Sequence, residues 1–215
     1  FPDRADPRIR EMVDSLPREM AMRKTAIRYG TCNLHRVHSI EDYDRAACGT
    51  PKSGRRNVLV IHDSAGADTY MMLSLAYPGV TFSLATAAGC TALLELEEVV
   101  ESLYPACREM NELRFQELAM EDFDLIVLAS IWKPGRIEPL RETLEFLEAA
   151  GKNVVVTGPR MAFYASVPTL ASQQISLSAV NSRLADLANR EEALLEDMRR
   201  ELPNATIIDM ASIQC

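Results

Sequence analysis

Five apolar runs punctuate the chain, and most of the intervals between them carry apolar residues at helical spacing. The run Asn57-Val-Leu-Val-Ile-His62 is continuously apolar through its middle, the pattern of a strand buried on both faces. Residues 80–84, 123–129, 153–157 and 205–210 read as four more strands. Helical spacing predicts helices over 70–76, 93–103, 108–119, 137–149 and 179–202, the fourth ended by Gly151. Residues 159–178 read as a long loop. Strands that alternate with helices imply a parallel sheet with helices on both faces, so the pattern predicts a three-layer α/β domain, flavodoxin-like in its layering.

The N-terminal quarter differs. Residues 1–30 predict a polar helix broken at Pro17, with a ragged apolar stripe of Met12, Val13, Leu16, Met20 and Met22. Residues 31–56 predict a loop-rich stretch with a short helix near 40–47, closing on the turn-forming run Gly49-Thr-Pro-Lys-Ser-Gly-Arg-Arg. We therefore expect residues 1–50 to be an extension that packs on a domain formed by 51–215.

Composition narrows the class. Hydrophobic residues make up 47% and charged residues 25% of 215, which fits a globular protein. The longest apolar stretches stop well short of the roughly 20 residues that span a bilayer. The start lacks a basic patch followed by an apolar run and has no initiator Met, as expected of a mature protein or an excised domain. A net charge of −8 argues against a nucleic-acid binder, which needs clustered positive charge. It still allows a local site for an acidic ligand.

The five cysteines form no Cys-x-x-Cys pair, which weakens structural zinc and thioredoxin-like chemistry. Cys32 with Cys48, and Cys90 with Cys107, would each close a modest loop outside the strand runs. The alternative is five reduced thiols in a cytosolic protein. The setting of Cys48 beside a turn and of Cys107 among charges favours the bridges, and bridges would place the domain in an oxidising compartment. Cys215 is left over.

The end of the first predicted strand carries the most chemical information: Ile61-His62-Asp63-Ser64-Ala65. A serine at the carboxyl end of a buried strand, opening a helix, is placed to act as a nucleophile. Its own N–H and the helix N-terminus can face an oxyanion. Asp63 or Ser64 acting simply as a helix N-cap is the competing reading. There is no Gly-x-Ser-x-Gly elbow, no P-loop and no Gly-x-Gly-x-x-Gly. His35, His38 and His62 lack a metal-binding spacing and are expected at the surface.

The order of these features resembles the SGNH-type domain at the C-terminus of acyltransferase-3 family membrane proteins, which O-acetylate cell-surface polysaccharides. The features that carry it are Cys32 and Cys48, then Val58-Leu-Val-Ile-His-Asp63-Ser64, then Ala88-Gly89-Cys90 and Cys107. They continue with Phe123-Asp-Leu-Ile-Val-Leu-Ala-Ser-Ile-Trp132, a helix over 140–147, Gly151-Lys-Asn-Val-Val-Val and Gly158-Pro159. The resemblance covers about residues 30–215.

It implies an SGNH-hydrolase-like fold with both disulfides, Cys32–Cys48 and Cys90–Cys107. It implies Ser64 as the nucleophile, Gly89 as an oxyanion donor, and Asp63 and Trp132 at the substrate. Core packing is the other reading for Trp132. The acceptor would be a glycan. The acyl donor would be supplied by a preceding acyltransferase-3 transmembrane domain, with no cofactor and no metal in this domain. The location would be periplasmic, tethered to the inner membrane.

The chain departs from the family pattern at three places. Gly-Asp-Ser-His becomes His62-Asp63-Ser64-Ala65. The Asn expected after the third strand is replaced by Ser130-Ile-Trp132. The late Asp-x-x-His that supplies the general base would lie beyond Cys215, whose own partner would also lie there. Without that base the isolated chain is expected to be inactive. A non-catalytic glycan-binding or positioning domain of the same fold is the alternative, and a cytosolic flavodoxin-like or response-regulator-type protein a third.

Overall fold

A computed structural model describes residues 7–35, 37–95, 106–160, 177–210 and 212. Six parallel strands form one sheet: β1 (Asn33–Leu34), β2 (Asn57–His62), β3 (Thr81–Ala87), β4 (Leu125–Ala129), β5 (Val154–Thr157) and β6 (Thr206–Ile208). Their spatial order is β1-β3-β2-β4-β5-β6. The five strands read from the sequence are β2 to β6. The sixth, β1, was not foreseen, because two residues are too few to show a period.

Among the described residues the helices are α1 (Pro7–Ala26), α2 (Arg45–Cys48), α3 (Ala67–Ala76), α4 (Ala106–Glu112), α5 (Ile137–Ala149) and α6 (Leu177–Glu201). A π-helical stretch, Leu113–Glu117, and a short 3₁₀ turn, Leu118–Met120, continue α4. The expected break at Pro17 does not occur. The helix passes through the proline, which removes one hydrogen bond and can kink a helix without ending it. Part of the expected 93–103 helix, most of the 159–178 loop and Cys215 lie outside the described residues.

Right-handed crossovers decide the layers. The chain moves one way from β2 to β3 and the other way for every later strand. Hence α3 lies on one face of the sheet, and α4, α5 and α6 lie on the opposite face. The second face is the denser. Leu140, Leu144 and Leu147 of α5, together with Leu194 and Met198 of α6, are buried in one core with Leu59, Ile126, Leu128 and Val156. On the α3 face, a groove of about 900 Å³ runs along the sheet between Met72, Leu125, Val127, Val155, Ile208 and Met210.

The N-terminal segment is sewn into this core. Ile27, Cys32, Leu34, Tyr43 and Cys48 are all buried. Cys32 is bonded to Cys48, with Cα atoms 5.3 Å apart. The β1 strand pairs with the carboxyl end of β3, Asn33 opposite Thr86 and Leu34 opposite Ala87. Nearer the middle of β3, the Tyr43 hydroxyl donates to the carbonyl of Leu84 at 3.1 Å, and burial pushes that phenol's pKa up.

Candidate active site at the end of the second strand

The ladder between β2 and β3 ends at His62 opposite Thr86, and that between β2 and β4 at His62 opposite Ala129. Three loops therefore leave the sheet side by side at its carboxyl edge: residues 63–66, 88–90 and 130–136. Neighbouring strands are about 4.8 Å apart, so loops from one edge share a site. Ser64, Gly89 and Ser130 therefore lie on neighbouring loops although they are far apart in the chain.

After His62 the chain makes one 3₁₀ turn, Ser64–Gly66, and enters α3. Ser64 is exposed on that turn, while Asp63 and Gly66 on either side are buried. Gly89 follows β3 with φ +84°, a left-handed conformation that glycine adopts without strain. The Cys90 N–H closes this turn on the Ala87 carbonyl at 3.1 Å, and a disulfide joins Cys90 to Cys107 of α4, Cα atoms 5.2 Å apart.

The Asp63 side chain turns inward. Its Oδ2 accepts the Ser130 hydroxyl and the Ile131 N–H, both at 2.8 Å, so it braces the end of β2 against the end of β4. Trp132 is buried too, 4% exposed, and its indole N–H donates to the Thr157 carbonyl of β5. It packs in the hydrophobic core.

His62 corrects the sequence reading. It was expected at the surface and is fully buried. The turn into α3 folds directly over its ring, and the glycine at 66 leaves the ring its space. One ring nitrogen, Nδ1, lies against the Asp63 carbonyl. The other, Nε2, lies 2.7 Å from the Thr86 hydroxyl. These partners fit a neutral ring with the proton on Nδ1. Burial holds its pKa down at about 3, with Arg114, Arg160 and Arg23 adding positive potential. The ring therefore stays neutral at ordinary pH.

Neither remaining histidine substitutes for it. His35 and His38 follow β1, the far edge strand. His38 Nδ1 accepts the His35 N–H at 2.9 Å, and both rings pack near Tyr29. None of the three histidines hydrogen-bonds Ser64. Among the described residues no cluster of His, Cys, Asp and Glu could hold a metal ion.

Two groups at this edge had no sequence signal. Asp68, in the first turn of α3, pairs with Arg23 of α1 at 2.7 Å and with Arg160, just past β5, at 3.6 Å. Arg114 is fully buried behind the site and donates to the main-chain carbonyls of His62, Ala85 and Cys90 and to the Asn111 side chain.

Among solved structures, the fold is similar to the periplasmic domain of a lipopolysaccharide acetyltransferase from Salmonella ser. Paratyphi A, with a TM-score of 0.63 and 15% identity over 89% of this chain and 78% of that one. Comparison with the curated proteins gives no match. Residues 31–215 match the family described as the SGNH domain fused to AT3 domains. That match takes in the whole sheet and the turn that exposes Ser64, and the chain belongs to this family of SGNH domains.

Proposed function

We propose that this domain is the extracytoplasmic acyl-transfer module of a membrane O-acyltransferase, and that Ser64 carries the acyl group to a hydroxyl of a cell-surface glycan. The observation that carries the reading is the exposed Ser64 at the carboxyl end of a fully buried strand, opening a helix, in a member of the SGNH domain family. The fusion of that family to AT3 domains supports a transmembrane partner that delivers the acyl donor. The structural neighbour's role as a lipopolysaccharide acetyltransferase domain supports a glycan acceptor. Two disulfides support an oxidising compartment. Among the described residues no helix is long and apolar enough to cross a membrane, so tethering would fall to the fused domain.

In this mechanism the Ser64 oxygen attacks the donor's acyl carbon and its proton passes to a base. The tetrahedral oxyanion is held by the N–H groups of Ser64 and Gly89 and collapses to acyl-Ser64 with loss of the donor's leaving group. A glycan hydroxyl then attacks the acyl carbon, and Ser64 recovers its proton. The base has to come from outside the three histidines of this chain, which matches the family's use of a late Asp-x-x-His. The test is glycan acetylation by the full-length parent chain, read by mass spectrometry of the product. Ser64→Ala should abolish acetyl transfer, and unchanged transfer would overturn the reading.

One observation favours the alternative of a non-catalytic glycan-binding or positioning domain: the nearest histidine in sequence, His62, is buried, neutral and turned to Thr86. The two readings separate on Ser64→Ala, because a positioning domain would keep transferring without that hydroxyl.

A further inference from the structure

We propose that Arg114 is a positioning residue that fixes the Ser64 turn against the Gly89 loop. The inference deepens the acyl-transfer reading, and its geometric part can be tested without it. Arg114 Nη2 donates to the His62 carbonyl at 2.7 Å, one residue before Asp63-Ser64. Its Nη1 donates to the Cys90 carbonyl at 3.3 Å, one residue after Gly89. Its Nε donates to the Ala85 carbonyl of β3 at 3.1 Å. One planar cation therefore binds both segments that flank the proposed oxyanion site, where the β2–β3 ladder has just ended.

The surroundings hold the guanidinium in that orientation. Asn111 Oδ1 accepts from Nη1 at 2.8 Å, and the Asn111 amide donates to Leu93 O at 2.6 Å and to Thr91 O at 3.3 Å. Arg114 lies in the π-helical stretch that follows α4. An inserted π-turn rotates the residues that follow it, and such turns recur at functional sites. The same helix is tied to the Cys90 loop a second time through Cys107.

Packing alone does not account for the residue. The side chain is completely buried, and although the Asp63 carboxylate favours its charge through space, burial outweighs that. Burial lowers its pKa to about 10, which still leaves it charged at neutral pH. A buried charge is costly, and an apolar side chain of similar volume often fills a core at least as well. What an apolar side chain lacks is a fork of donors for the carbonyls of two separate loops. Two uncoordinated loops would leave the oxyanion donors without a fixed spacing, and preorganised spacing is what makes such donors effective.

The test combines local exchange with kinetics. Amide hydrogen exchange is followed by NMR on residues 1–215, wild type and Arg114→Lys, which keeps the charge but not the planar fork. Exchange should rise selectively at residues 63–66 and 88–90 while amides of α5 and β5 keep their rates. A uniform rise, or no rise, would overturn the proposal. In the full-length parent, the same variant should lower kcat by about tenfold, the effect of one or two lost positioning hydrogen bonds, with KM for the acyl donor unchanged. A wild-type kcat would overturn the proposal, as would a rise in KM alone. Should Arg114→Lys not fold, the wild-type domain decides. The Arg114 side-chain N–H signals should exchange slowly with hindered guanidinium rotation, and a freely rotating guanidinium refutes the clamp. Ser64→Ala in the parent separates the two ideas: full activity there removes the acyl-serine reading, while the exchange pattern still decides on Arg114.

Discussion

Gly66 lies directly against the ring of His62: a Cβ placed on Gly66 would fall 2.3 Å from His62 Cβ and 2.4 Å from its Cγ. The histidine stands where the family pattern has glycine, and the glycine four residues on makes room for it. Gly66 has φ −79° and ψ −5°, so alanine would suit the backbone, and it is the His62 side chain, its Cβ first and then its ring, that excludes it. Gly66→Ala should destabilise the domain by about 1–3 kcal/mol through overpacking. In a His62→Gly background, which removes the Cβ as well as the ring, the same change should cost much less. Urea unfolding of the four proteins measures this, and an equal cost in both backgrounds would show that the contact is not the cause.

The buried imidazole also predicts an acid-sensitive fold. In the folded state its pKa is about 3, against 6.5 for an ordinary histidine, so the unfolded chain binds one more proton between those values. Stability rises with pH wherever the unfolded state holds more protons. The contribution is therefore complete above about pH 6.5 and is lost as the pH falls from there toward 3. The slope should approach 1.4 kcal/mol per pH unit at most, about one proton's worth. Unfolding free energies from pH 7.5 to 4.5 should fall more steeply for wild type than for His62→Gln. Parallel curves would mean that the ring is solvated in solution.

What the sequence revealed and what it hid have physical causes. The strand β2 was legible because burial on both faces forces a continuous apolar run, β3 to β6 because each carries a short cluster of apolar and β-branched residues, and α5 because Ile137, Leu140, Leu144 and Leu147 repeat at helical spacing. The turn at Ser64 was legible because a strand end followed by a helix puts small polar residues there. His62 was misread because its burial depends on Gly66 and on Thr86, 24 residues away. Arg114 was invisible because it sits among Glu109, Glu112 and Glu117, as a solvated helix face would. Only the π-turn and three distant carbonyls turn it inward. No local pattern encodes such a constellation.

The disulfide beside the site should matter for stability. The Cys90–Cys107 bridge spans 17 positions, and a loop of this size constrains the unfolded chain by about 3 kcal/mol in the chain-entropy model. The Cys32–Cys48 bridge spans 16 and should contribute a similar amount. Replacing either pair by serine should lower the unfolding free energy by about 2–4 kcal/mol. Thermal melts with and without reductant check the total, and an unchanged Tm after verified reduction would exclude the effect.

The only tryptophan reports on the same edge of the sheet. Trp132 is buried with its N–H on Thr157. Its emission should be blue-shifted and resist quenching by iodide, and it should not change when acceptor glycan is added. A glycan-dependent shift would return Trp132 to the substrate side of the site.

Asp63 offers the sharpest separation of bracing from binding. Its carboxylate holds the Ser130 hydroxyl and the Ile131 N–H, both at 2.8 Å, in a buried position. Asp63→Ala leaves both donors without that acceptor, and each buried donor so stranded costs about 1–3 kcal/mol. Asp63→Asn keeps one acceptor oxygen and should cost less. Ser130→Ala leaves the Ile131 bond intact and should cost least. The order of stability loss should therefore be Asp63→Ala, then Asp63→Asn, then Ser130→Ala, by urea unfolding. If the full-length parent chain transfers acyl groups as proposed, losses of kcat there should follow the same order, because a slack joint between β2 and β4 would displace Ser64. KM for the glycan should stay near wild type. A raised KM with unchanged stability would mean that Asp63 meets the substrate directly and that the brace is secondary.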